Sequence, residues 1–113
     1  MEVGVRTDGD RSWVSLRGEL DLGSAPDVER ELATLERKGP PVVVLDLREL
    51  TFIDSTGLRS VLSADARARR DGRRLVVIPG PPPVHRVFRI ALLDQRLEFV
   101  DDPESIGAEG ADG

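Results

Sequence analysis

The sequence predicts an α/β domain in which a mixed β-sheet of about four to five strands, opened by a hairpin, carries helices packed against it. Three features lead there. Short apolar alternations, Val3-Gly4-Val5 and Trp13-Val14-Ser15-Leu16-Arg17, flank the turn-rich Thr7-Asp8-Gly9-Asp10, as in a hairpin. Downstream, the apolar spacing switches repeatedly between helical and strand periods. Two runs, Pro41 to Leu47 and Arg73 to Ile78, are apolar on both alternate faces, as in strands that are flanked by neighbours and covered by helices. A length of 113 residues fits one domain, and no repeat or linker divides it.

The second arm of the hairpin runs to Leu20, with Trp13 as a packing residue. From Ser24 to Lys38 the period becomes helical, with Ala25, Val28, Leu32 and Leu35 on one stripe. Ser24 is placed to cap the free amides, Pro26 and Asp27 suit the first turn, and Lys38-Gly39-Pro40 ends the helix. The strand from Pro41 to Leu47 is the central one, and Arg48 to Asp54 reads as a loop. A second helix follows from Ser55 to Arg70, with Leu58, Val61 and Leu62 on its buried side and Asp71-Gly72 as its stop. After the strand ending at Ile78, Pro79-Gly80-Pro81-Pro82-Pro83 reads as a loop. Val84, Val87, Phe88, Ala91 and Leu92 then keep the spacing of a short amphipathic helix, and Leu97 to Val100 returns to period two as a last strand. Residues 1–102 are thus expected to form the domain. Residues 103–113, acidic and glycine-rich with Ile106 as the only large apolar side chain, are expected to be a disordered tail.

Composition removes several classes of function. With no cysteine and a single histidine, His85, the chain cannot build a disulfide, a Cys/His zinc site or an iron–sulfur site. The formal charge of −5 disfavours nucleic acid and anionic lipid. No apolar run approaches a membrane span and the first residues do not resemble a secretory signal, so the expected location is the cytoplasm. Phosphate-loop and dinucleotide fingerprints are absent.

The segment that stands out is Leu50-Thr51-Phe52-Ile53-Asp54-Ser55-Thr56-Gly57-Leu58, which leads from a buried strand into a helix start. Asp54, Ser55 and Thr56 are three capping-type residues where one would do. Read structurally, one of them caps the helix, Gly57 permits close packing, and Leu50, Phe52 and Ile53 seal the core. Read functionally, Ser55 is a phosphorylation site at the positive end of a helix dipole, and any of Phe52 and Ile53 left exposed is a partner contact. Two further readings use other residues. Ser55, His85 and Asp94 could form a hydrolase triad, although Ile53 replaces the first glycine of a nucleophile elbow. The run Arg67, Arg69, Arg70, Arg73 and Arg74 is either a solvated helix end or a site for an anion or RNA.

Val43-Val44-Leu45-Asp46-Leu47, Phe52-Ile53-Asp54-Ser55-Thr56-Gly57-Leu58 and the upstream Gly18-Glu19-Leu20-Asp21 resemble the STAS domain of bacterial anti-sigma factor antagonists. The similarity extends to Val84-His85-Arg86-Val87-Phe88 in the third helix, and covers residues 3 to 102. It implies a non-enzymatic, cofactor-free protein whose unphosphorylated form binds an anti-sigma factor and so frees a sigma factor for transcription. The anti-sigma factor is usually a serine kinase of the histidine-kinase-like ATPase fold. It would phosphorylate the serine that matches Ser55, and a separate phosphatase would reverse this. Asp21, Asp54, Ser55, Thr56, Gly57 and Leu58 are the implied partner-binding positions. The same fold also serves as a regulatory subunit of membrane transporters and as a scaffold in stress-sensing assemblies. One departure is Leu92, where the family often has a glycine that turns the chain.

Overall fold

The computed structural model describes residues 1–102, so the expected tail lies outside the described residues. The elements are β1 (Glu2–Asp8), β2 (Arg11–Leu20), α1 (Ala25–Glu36), β3 (Val42–Ile53), α2 (Ser55–Arg70), β4 (Arg74–Ile78) and α3 (Pro82–Ile90). The sheet order is β1-β2-β3-β4. β1 and β2 form the expected antiparallel hairpin, while β2, β3 and β4 are parallel and joined by the helical crossovers. Gly9, at φ 63°, makes the two-residue turn between the paired Asp8 and Arg11.

One face of the sheet carries the helices. Val14, Leu16, Leu20, Val43, Leu45, Leu47, Leu75 and Val77 meet Val28, Leu32 and Leu35 of α1, Val61, Ala64 and Ala68 of α2, and Val84 and Phe88 of α3. The α1 stripe is the expected one. On α2 only Val61 of the three expected residues is buried; Leu58 and Leu62 flank the core half-buried, and the buried line is Gly57, Val61, Ala64 and Ala68. Small side chains there let α2 lie close to the sheet. Arg67 ties α2 to α1, its guanidinium reaching Glu36 at 2.9 Å and Glu29 at 3.3 Å.

The helix-free face has its own small cluster of Trp13, Val44, Val76 and Ile78. Trp13 is a packing residue, as expected, with the Arg6 guanidinium 4.9 Å above its ring. Beside it Arg48 forks onto Asp46, with contacts of 3.0 and 2.8 Å. Burial pushes the Asp46 carboxyl up, but the hydrogen bonds and charge of Arg48 outweigh that and hold it below the ordinary carboxylate range. Because the folded value lies below the unfolded one, the pair's contribution is complete above roughly pH 5 and is lost as pH falls through the folded value. Asp46→Asn is therefore expected to lower stability near neutrality and to flatten the acid limb, which urea melts at a series of pH values would read directly. Parallel acid limbs for parent and variant would show that the pair contributes nothing.

Four local expectations are corrected. Arg48 to Ile53 is not a loop but the second half of β3, whose twelve residues run against ten of β2 through register shifts at Ser15/Arg17 and Gly18/Glu19. Each shift leaves an exposed pair, Arg48-Glu49 and Thr51-Phe52, which breaks the period-two pattern and mimics a loop. Ser24 does not cap α1. Its hydroxyl donates to Glu19 O at 2.7 Å and accepts from Asp21 N–H at 3.0 Å, and so braces the preceding turn. The last expected strand is reduced to a single bridge between Val77 and Phe99.

Helix α3 starts at Pro82, two residues before the expected Val84, because prolines need no hydrogen bond in a first turn. It stops at Ile90, leaving Ala91 and Leu92 exposed instead of on the buried stripe. Leu92 takes φ 61°, its N–H donates to Arg89 O at 3.0 Å, and Leu93 N–H reaches Phe88 O at 2.8 Å. This is the helix stop that normally uses glycine. Leu92 is 80% exposed and gains no packing there. Leu92→Gly should accordingly raise stability by about 1 kcal/mol; a lower melting point would show that Leu92 makes a stabilising contact after all.

Candidate functional site

The site is built where β3 runs into α2. Of the three capping-type residues the cap is Asp54, whose extended backbone (φ −109°, ψ −173°) lets Oδ1 accept the Gly57 N–H at 2.9 Å. Its second oxygen, Oδ2, accepts the Leu22 N–H at 3.2 Å, and its own N–H donates to Leu20 O at 3.2 Å. One carboxylate thus fastens the start of α2 to the β2–α1 loop. Within that loop Asp21 Oδ1 accepts the N–H groups of Gly23 and Ser24, both at 3.0 Å. The structure therefore gathers the expected residues, with Asp21 joined to Asp54 through Leu22.

Ser55 is the first residue of α2 and is exposed. Among the described residues its hydroxyl makes no hydrogen bond, although the polar side chains beside it, Asp54 and Asp21, are engaged. As the first two helical residues, Ser55 and Thr56 have no intrahelical acceptor for their amides, which stand at the positive end of the helix. Thr56 and Leu58 are half-buried. Gly57 is buried against the end of β2, where a Cβ would lie 2.4 Å from Leu20 O, 2.8 Å from Leu20 Cγ and 3.0 Å from Ile53 Cγ1.

Around Ser55 the apolar residues divide by face. Ile53 is buried, while Phe52 is 47% exposed and Leu22 72% exposed. The sequence reading missed Leu22, which sits between Asp21 and Gly23 with no periodic partner to draw attention to it.

The other readings find no assembled site. The His85 ring packs against Phe99 (4.8 Å between centroids) and Phe88 (6.2 Å), and its Nδ1 is buried without a hydrogen-bond partner, so it does not activate Ser55. The five arginines of the basic run each face a carboxylate: Arg67 meets Glu36 and Glu29, Arg69 meets Asp65, Arg70 and Arg73 meet Asp71, and Arg74 meets Glu98. Among the described residues no helix is long and apolar enough to cross a membrane.

The family described as "Mlab, STAS domain" matches residues 3–101. An anti-sigma-B factor antagonist of Listeria monocytogenes is 31% identical over 92 residues, covering 81% of each chain. The chain belongs to the STAS-domain anti-sigma factor antagonist family. Among other STAS relatives, BtrV of Bordetella bronchiseptica is 40% identical over 76 residues, covering 67% of this chain and 66% of that protein. The fold is shared with an anti-sigma factor antagonist from Mycobacterium paratuberculosis, at a TM-score of 0.80 and 24% identity over 92% of this chain and 88% of that one. Proteins of this STAS family are regulatory rather than catalytic.

Proposed function

We propose that this chain is an anti-sigma factor antagonist gated by phosphorylation at Ser55. Unphosphorylated, it binds an anti-sigma factor through the β3–α2 junction, with Leu22 and Phe52 as apolar contacts around Asp21, Asp54, Ser55, Thr56, Gly57 and Leu58. The anti-sigma factor is itself the serine kinase that modifies Ser55, and a phosphatase restores the binding form. The observation that carries this reading is the exposed Ser55 hydroxyl, without a hydrogen bond among the described residues, at the first position of a helix whose capping Asp54 carboxylate is already engaged.

Phosphorylation adds about −1.5 to −2 charges beside Asp54. The helix start accepts an anion through its free amides, and Arg59, one turn along α2, has no ion-pair partner among the described residues. The domain therefore stays folded while the docked surface is lost. Burying that charge opposite a partner surface shaped for a neutral serine costs about 2–3 kcal/mol, which weakens binding roughly 30- to 150-fold. Calorimetry of the unmodified and phosphorylated proteins against the same anti-sigma factor tests the gate, with Ser55→Ala expected to bind persistently. Equal affinities, or phosphate mapped to Thr56, would overturn the assignment.

A further inference from the structure

The two edges of the sheet are finished differently. Along β4 the segment from Glu98 to Val100 closes the edge, with Val77 N–H donating to Glu98 O at 2.8 Å and Val100 N–H donating to Val77 O at 3.0 Å. β1 is the terminal strand at the other edge, and every residue of it except the half-buried Val3 is exposed. It carries no proline and no lysine, and its pairing with β2 runs from Glu2↔Arg17 to Asp8↔Arg11 without a register shift. Those are the devices that usually keep an edge from pairing.

We propose that β1 is a self-association edge, with two copies pairing antiparallel so that Gly4 faces Gly4 across a two-fold axis normal to the sheet. The register follows from bonding phase and charge. In an antiparallel ladder two facing residues direct their backbone groups either both at each other or both away, so symmetric pairing centres on a residue and not between two. Centring on Val5 sets Glu2 against Asp8, and centring on Arg6 sets two guanidinium groups face to face. Centring on Val3 leaves Arg6 beyond the end of the ladder. Centring on Gly4 sets Glu2 against the second copy's Arg6 twice over, and on the helix side sets Val3 against Val5, which is 46% exposed in the single chain. Arg6, which lies over Trp13 in the single chain, extends past its own strand to meet that carboxylate. The result is an eight-stranded sheet with both sets of helices on one side. This inference is independent of whether Ser55 is phosphorylated.

Sedimentation equilibrium of the full chain from micromolar to millimolar concentration is the test. The parent should dimerise reversibly. Arg6→Glu and Glu2→Arg should each weaken self-association by roughly tenfold or more, since each places like charges opposite one another at two symmetric positions. Mixed in equal amounts, the two variants should associate again as a heterodimer, because each now carries the charge that the other lacks. A folding defect in either variant could not produce that recovery. A parent that stays monomeric to millimolar concentration, single variants that associate like the parent, or a mixture that stays monomeric would each overturn the proposal.

Discussion

Gly57→Ala should destabilise the domain by about 3 kcal/mol, a large part of what holds a small domain together. At an open helical position the same change would stabilise by about 1 kcal/mol, because alanine is the better helix former. Here the added methyl group would meet the Leu20 carbonyl oxygen at 2.4 Å, and that oxygen also accepts the Asp54 N–H. It cannot yield without breaking the bond that joins β2 to the helix start. Gain in helix propensity recovers only part of the loss, so the melting point should fall by roughly 10 °C or more. A melting point at or above the parent's would show that α2 can shift away from β2, and with it Asp54 and Ser55. The sign alone decides the matter.

Phe88→Ala should cost about 3–5 kcal/mol. Phe88 is the largest fully buried side chain, and its ring meets that of Phe99 edge-on at 5.4 Å. Phe99 lies in the segment that closes the edge of β4 through the Glu98 and Val100 backbone bonds to Val77. Loss of the ring removes the surface on which this closing segment rests. Amide exchange at Val77 and Val100 should therefore quicken more than exchange at Val44 in the middle of the sheet. Uniform quickening across the sheet would mean that the segment is held by its backbone bonds and not by the aromatic contact.

The order of strands and helices was legible in the sequence because each buried face follows a simple period, as the α1 stripe of Ala25, Val28, Leu32 and Leu35 shows. The junction was legible for a different reason: three capping-type residues and a glycine after a strand are too many for a cap alone. What stayed hidden depends on tertiary geometry. Ser24 looked like the cap of α1, but the Asp21 turn takes its hydroxyl. Leu92 looked like a core residue by spacing, yet the helix stops two residues earlier and Leu92 adopts the backbone of a glycine. Leu22 became visible only when its N–H was found on Asp54. Single-sequence periodicity reports which face is buried; it does not report which loop a carboxylate will reach.

The two extra residues of β3 act as a phase counter. From Asp46 on the helix-free face, strict alternation would turn Leu50 outward, but the first shift brings it to the core and the second restores the phase so that Ile53 also points inward. Both insertions are spent before the chain reaches Asp54, so the start of α2 arrives with the parity that an unbroken strand would have given it. Length variation in this stretch is therefore absorbed where it arises. Removing one residue from either exposed pair would close that bulge and leave Ile53 opposite Leu20, so the start of α2 keeps its orientation on a shorter, flatter strand.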